Sequence, residues 1–527
     1  MVSSRGLFFF LLLAAPAWAQ TDRYMVFFAD KAGTPHTVDQ PATFLSPRAV
    51  QRRTDAGIAV KTEDLPVTPG YITQVRATGA KAFFTSRWVN GVLVEATMAQ
   101  RSAIEALPFV TSTEFVAPNT QLMGGRKGLH VSSSASGAAT DVQLSMLGLD
   151  TMHQDGFTGE GVRIAVLDSG FPGVDTAPPF DAVRNGGRIV QAVDFIRNSG
   201  DAYQYDAHGT NVLSIMAAES SSFRGGATGA EYLLYVTEDV LTEYRVEEYN
   251  WLFAAEWADS AGADIIQSSL GYVDFDNPSM DYALDDLDGL TAVVTRAANL
   301  ALAKGIIVVV SAGNLGGTPW KYISPPADAA GVLAVGAINA DGVKSGFSSI
   351  GPPGLSEIKP DVVALGEGVS IVEPDGLLST VSGTSAAAPL VTSLVAGLLQ
   401  AYPSLSPATL VQHIRATASQ ASHPDRDTGF GIPGYRAVRN FLEGGTGPSV
   451  YPNPVRQTLW ITFGPHDEPA DFAILDIQGK VVHAASVMEV SWANRTTPVD
   501  VSGLAAGLYI IRIVSGSLVM TFRFIKL

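Results

Sequence analysis

Between residues 141 and 444 the chain alternates between two kinds of segment, and this alternation constrains the fold more than any other feature of the sequence. Short runs dense in aliphatic and β-branched residues ("VRIAVLD", "YLLYVTED", "ADIIQSSLG", "GIIVVVSAGN", "GVLAVGAIN") are separated by helix-like stretches such as "EEYNWLFAAEWADSAG" and "TRAANLALAKG". A strand that is apolar on both faces must be covered on both faces, and helical returns between strands make them parallel. The expected fold class is therefore α/β: a mostly parallel sheet covered by helices on both faces. In such sheets catalytic and binding groups gather at the carboxyl ends of the strands. Here Asp168 ends "VRIAVLD", Ser269 ends "ADIIQSS" and Asn314 ends "IIVVVSAGN".

The flanks follow other patterns. Residues 20–118 read as a small α+β unit, with "YMVFFAD" a strand, "SPRAVQRRTDAGI" a polar helix, a helix entered near Thr97 and a last strand in "FVTSTEFVAP". Residues 119–140 are rich in Gly and Ser without periodicity, which marks a linker. A second linker, "EGGTGPS", precedes residues 447–527, whose alternating strands and turn signals describe a small β-sandwich. At the N-terminus, Arg5 precedes an apolar run that closes on Ala17-Trp18-Ala19. Residues 1–19 read as a secretory signal cleaved after Ala19, with a buried N-terminal helix as the alternative. The run is too short to span a bilayer comfortably, so no transmembrane segment is expected.

Composition removes several function classes. With 34 Lys and Arg against 51 Asp and Glu, the net charge of −17 argues against nucleic acid as a partner. The absence of cysteine removes disulfides, thiol nucleophiles and Cys-based zinc sites together. No H-E-x-x-H run supports a metalloprotease.

The chemistry gathers around "VSGTSAAAP" (Val381 to Pro389). The next segment is apolar nearly all round, as a buried helix is, and Pro389 is expected in its first turn. Ser385 then sits at the positive helix end, where free N–H groups stabilise an oxyanion, and Gly383 and Ala386 leave room for a substrate backbone. The bland alternative is that Thr384 or Ser385 caps the helix. A nucleophilic hydroxyl also needs a base and an orienting carboxylate. His208, beside Gly209 at the entry to the apolar run "NVLSIMAA", and Asp168, at a strand end before a Gly turn, supply both residue types. Singly each reads as a cap or a turn residue, but three such coincidences in one sheet argue for a shared site.

"VLDSG", "HGT", "SSLG", "SAGN" and "SGTSAAAP", in that order, resemble the subtilisin-like serine proteases (subtilases), whose Asp, His, Ser order they share. An α/β-hydrolase would need G-x-S-x-G, and position 387 is alanine. The resemblance implies Asp168 as orienting acid, His208 as general base and then acid, and Ser385 as nucleophile. It further implies Asn314 as an oxyanion-hole side chain working with the Ser385 N–H, and Ser269, Leu270 and Gly271 as an edge that pairs with an extended peptide. Catalysis of this kind requires no cofactor. Structural calcium, common in the family, is left open because no run has calcium-loop spacing. Ala386, Ala387 and Ala388 replace the commoner Met-Ala-Ser, and Ser214 stands where glycine is usual. Leu315 and Gly316 lean the specificity pocket toward an apolar residue. Glu238, Asp239 and Glu243 would favour basic residues at outer subsites, unless they form a solvated loop.

Residues 20–118 are similar to subtilase propeptides, with autocleavage then expected inside 119–140; an independent binding module is the other reading. The tail resembles the C-terminal sorting domain of proteins exported by the type IX secretion system, with Lys526 and the exposed turns "IQGK" and "GLAAG" as features the machinery reads; a carbohydrate-binding or spacer sandwich is the alternative. The expectation for the whole is an endopeptidase exported through the periplasm to the surface or medium, acting on protein or peptide substrates. A catalytically inactive surface-binding protein of the same fold is the rival.

Overall fold

The structure is a computed structural model that describes residues 20–118, 140–443, 449–451, 453–462, 470–487, 496–515 and 518–527. The N-terminal apolar run with its expected cleavage after Ala19, and the 119–139 part of the linker, lie outside the described residues.

The N-terminal unit folds as four antiparallel strands, β1 (Thr21–Phe28), β2 (Lys81–Ser86), β3 (Gly91–Thr97) and β4 (Val110–Pro118), in the order β2-β3-β1-β4. Its helices are α1 (Pro47–Asp55), α2 (Pro69–Ala77) and α3 (Met98–Glu105). Thr97 caps α3 reciprocally with Gln100, so the helix starts where the sequence signal lies. Strand β1 is buried on both faces for a reason. Tyr24, Val26 and Phe28 pack with this unit's own helices, while Met25, with Leu93 and Val116, packs into the core of the next domain.

That next domain is entered through α4 (Asp141–Met146) and α5 (Leu149–Gln154). Its sheet has seven strands: β5 (Arg163–Asp168), β6 (Ile189–Asp194), β7 (Glu231–Val236), β8 (Ile265–Ser268), β9 (Ile307–Ser311), β10 (Leu333–Ile338) and β11 (Val362–Leu365). Their order is β11-β10-β9-β8-β5-β7-β6, and every neighbouring pair is parallel. After the short α6 (Asp181–Asn185), helices α7 (His208–Ala217), α8 (Val246–Ala261) and α9 (Val293–Ala303) return between strands. A hairpin of β12 (Val369–Val372) and β13 (Leu378–Val381) leads into α10 (Thr384–Ala401), which α11 (Pro407–Ala416) and α12 (Tyr435–Leu442) follow. Along β5 the side chains alternate between two cores: Ile164 and Val166 join α7 and α10, whereas Ala165 and Leu167 join α8 and α9. Such a strand has no solvent face and reads as a continuous apolar run.

The described C-terminal residues form two antiparallel sheets. One contains β14 (Ser449–Tyr451), β15 (Thr458–Thr462) and β18 (Thr496–Asp500); the other contains β16 (Ala470–Leu475), β17 (Val481–Val487), β19 (Gly507–Ser515) and β20 (Leu518–Lys526). Leu459, Ile461, Ile474, Ile511 and Phe524 share their core.

Three details differ from expectation. Strand β8 ends at Ser268 and β9 at Ser311, so Ser269 lies one residue and Asn314 three residues past the ladder, in loops. Helix α10 begins at Thr384, which puts Pro389 in its second turn rather than its first. Lys526 is buried, with its ammonium on the Leu527 carbonyl, because its register in β20 turns it away from solvent, so it is not an exposed feature of the tail.

Candidate active site

Asp168 is the last residue of the central strand β5 and is fully buried. Its Oδ1 accepts from the Ser169 N–H at 2.8 Å and from the His208 ring at Nδ1, 2.7 Å away. Among the described residues, nothing donates a hydrogen bond to its buried Oδ2. Burial alone would push the His208 imidazole toward its neutral form. The Asp168 carboxylate and its hydrogen bond, with Asp206 behind them, outweigh burial, so His208 titrates above its ordinary value. The close approach of α7 to β5 depends on Gly209: a Cβ there would lie 2.3 Å from the Gly170 carbonyl oxygen and 3.0 Å from Asp168 Cβ.

Ser385 lies in the first turn of α10, partly exposed in a helix otherwise buried over its first fifteen residues. His208 and Ser385 line one small pocket together with Val212, Val381 and Ala386. The displaced Pro389 has a structural counterpart. Proline has no N–H to give the carbonyl four residues back. That carbonyl belongs to Ser385, and it accepts instead from Ser269 Oγ at 2.9 Å. Ser269, in turn, accepts from Gln267 at 2.7 Å. A serine of the loop after β8 thus completes the helix that carries Ser385.

Asn314 is tied to the same helix end. Its Oδ1 accepts from the Thr384 N–H at 2.8 Å and from the Thr384 hydroxyl at 2.9 Å, which fixes the amide and leaves Nδ2 toward Gly383. A Cβ built on Gly383 would lie 2.8 Å from Ser385 Oγ, 3.4 Å from Asn314 Nδ2 and 3.7 Å from the Ser385 nitrogen. A hydroxyl and two N–H donors therefore surround one point that only glycine leaves empty. Gly383 has an extended φ of 164°, so space and not backbone strain selects it.

A larger cleft of roughly 310 Å³ adjoins this point and is lined by His208, Asn314 and the Ser269-Leu270-Gly271 segment. Three more of its lining residues are Glu238, Glu243 and Glu247. The solvated-loop reading of this region fails for Glu238, which is 8% exposed. Glu247, whose place the sequence did not signal, is 1% exposed. Burial, then the charge of Glu243, pushes Glu238 up to about 8 against the hydrogen bonds of Tyr272 and Thr237. Glu247 is raised well above the usual carboxylate range by burial and then by Glu243 and Glu238.

Comparison with known proteins identifies the family. Residues 159–431 match the model of the subtilase family, residues 23–131 that of a peptidase S8 propeptide domain of Bacteroidota, and residues 449–527 that of a secretion system C-terminal sorting domain. Subtilisin NAT of Bacillus subtilis subsp. natto is 30% identical over 279 residues, which span 52% of this chain and 65% of that protein. Subtilisin of Bacillus pumilus is 30% identical over 279 residues spanning 52% of this chain and 90% of that protein. Among solved structures, MycP1 with its N-terminal propeptide removed is 26% identical, with a TM-score of 0.44 over 56% of this chain and 96% of that one.

Proposed function

Because the chain belongs to the subtilase family, we propose that it is a secreted serine endopeptidase that hydrolyses peptide bonds through an acyl-enzyme at Ser385. Asp168 holds His208 with its Nδ1–H directed at the carboxylate, leaving Nε2 to take the Ser385 proton. Ser385 Oγ then attacks the scissile carbonyl. The oxyanion that forms is met by Asn314 Nδ2 and the Ser385 N–H at the mouth of α10, a kind of donor worth about 2.7–4 kcal/mol in subtilisin. His208 hands its proton to the leaving amine, and water, deprotonated by the same ring, releases the acyl group. Ser269, Leu270 and Gly271 offer the substrate an extended edge.

One observation carries this reading: a buried carboxylate 2.7 Å from His208 Nδ1, with His208 and Ser385 on the wall of one pocket. We assign residues 20–118 as a propeptide removed by a cut inside 119–140, and residues 447–527 as the address for export across the outer membrane after passage through the periplasm. The domain matches support both assignments. Ser385→Ala tests the scheme through two readouts. Casein hydrolysis should fall by about 10⁶, the loss that removing the serine causes in subtilisin. N-terminal sequencing should find wild-type protein starting within 119–140 and the alanine variant uncut there. An alanine variant that digests casein at the wild-type rate refutes the assignment.

A further inference from the structure

His208, Asn211, Val212 and Ile215 stand at i, i+3, i+4 and i+7 in α7, so their side chains share one helix face. That face lines the small pocket that His208 shares with Ser385, and the rest of the lining comes from the junction of β13 and α10. Asn211 is 7% exposed. A carboxamide oxygen accepts hydrogen bonds, yet nothing among the described residues donates to the buried Oδ1 of Asn211. Such an acceptor is costly to bury unless a water serves it. The pocket is roughly 10 Å³ where the neighbouring cleft is roughly 310 Å³, room for about one water. His208 borders both spaces: the cleft with Asn314 and the Ser269-Leu270-Gly271 edge, and the pocket with Asn211. With the acyl part of a substrate in the cleft, the pocket is a space beside His208 and Ser385 that stays open.

From this pocket and its unpartnered amide oxygen we infer that Asn211 positions the water that hydrolyses the acyl-enzyme, an inference that rests on the acyl-enzyme reading above. One proton of the water is directed at His208 Nε2 and the other at Asn211 Oδ1, which turns a lone pair of the water oxygen toward the acyl carbon. That oxygen bonds to the carbon while His208 takes the first proton. As the tetrahedral intermediate collapses, the bond from the carbon to Ser385 Oγ breaks, the proton passes from His208 to Oγ, and the peptide leaves with a new carboxyl group. Water is the only co-reactant. In acylation the nucleophile is Ser385 itself, so a residue that orients the water governs the second half of the reaction and not the first.

A p-nitrophenyl ester of an N-acylated amino acid separates the two halves, because its good leaving group makes acylation fast and leaves deacylation limiting. Wild-type protein, expressed as the full chain, should release a burst of nitrophenolate equal to the enzyme present and then a slower steady rate set by deacylation. Asn211→Leu keeps a branched side chain and removes the acceptor. In this variant the burst should keep its rate and amplitude while the steady rate falls about tenfold or more, as for a reactant held out of line. Mass spectrometry should then find the acyl adduct accumulating on Ser385. Asn211→Ala gives the same readout should the leucine variant fail to fold. A merely structural role slows both phases, so a burst and a steady rate that fall together overturn the inference. A steady rate unaltered in either variant does so too. A wild-type protein without a burst refutes the acyl-enzyme itself, and the inference with it.

Discussion

Protonation of His208 is a contest between burial, which disfavours the imidazolium, and the Asp168 carboxylate, which favours it and wins. A histidine acts as a base only when neutral, so the raised value has a kinetic consequence. The acid limb of kcat/KM should lie above pH 6.5, the ordinary imidazole value, and activity should be lost as pH falls through that limb. In Asp168→Asn the limb should move down, with kcat reduced by about 10⁴ as the wrong tautomer is held. A wild-type limb at or below pH 6.5 contradicts the assigned pairing. At this scale the sequence is most legible where a polar residue stands at the border of an apolar run, as Asp168, His208 and Ser385 all do. Asn314 was legible as a residue type but not in its anchoring, because its partner Thr384 is 70 positions away. Glu247 was not legible at all. In "RVEEYNW" it looks like one half of a solvated acidic pair, but it is buried at the start of α8, where the Asp239 N–H of the preceding loop bonds its carboxylate.

The central strands of the seven-stranded sheet are legible in the sequence, and its edges are not. Strand β6 is only partly buried along most of its length and β11 has four residues, so neither makes a long apolar run. Pro389 lies a turn deeper than the sequence signals for a related reason: a proline is tolerated deep in α10 because Ser269, on another element, satisfies the orphaned carbonyl. Elements also explain how the N-terminal unit is held. Asp259, fully buried near the end of α8, accepts from Arg52 at 2.5 Å and from Arg53 and Arg87 at 2.6 Å each, all three from the N-terminal unit. Arg48 adds a bond to the Gly262 carbonyl at the same helix end, where cations are favoured. Asp259→Ala leaves these guanidinium groups without their shared anion, a loss of about 3–5 kcal/mol for a broken buried pair. Thermal or urea unfolding of the uncleaved Ser385→Ala chain, with and without Asp259→Ala, should show that destabilisation; superimposable transitions would mean that the arginines stabilise nothing.

Across the whole molecule the three units differ in how firmly they are joined. The N-terminal unit shares a hydrophobic core and a buried ion network with the peptidase domain. The C-terminal sandwich has its own core and reaches the peptidase domain through a surface ion pair, Arg456 to Asp341 at 2.6 Å, with both side chains more than a third exposed. Such a pair contributes about 0–1 kcal/mol. Deleting residues 447–527 should therefore leave casein hydrolysis by periplasmic extracts intact while stopping release to the surface or medium. Efficient release of the truncated chain would remove the sorting role. Among the described residues, the one helix long and apolar enough to cross a membrane is α10, and it is packed inside the fold as the support of Ser385. In the proposed mechanism the groups around that helix make one hydroxyl reactive, and a fluorophosphonate reports that reactivity directly, since it couples to an activated serine and not to an ordinary one. Treated with such a probe and mapped by mass spectrometry, the cleaved wild-type protein should carry one adduct, on Ser385, and His208→Ala should carry none. A wild-type protein that stays unlabelled at Ser385, or a His208→Ala variant labelled at the same rate, would contradict the account.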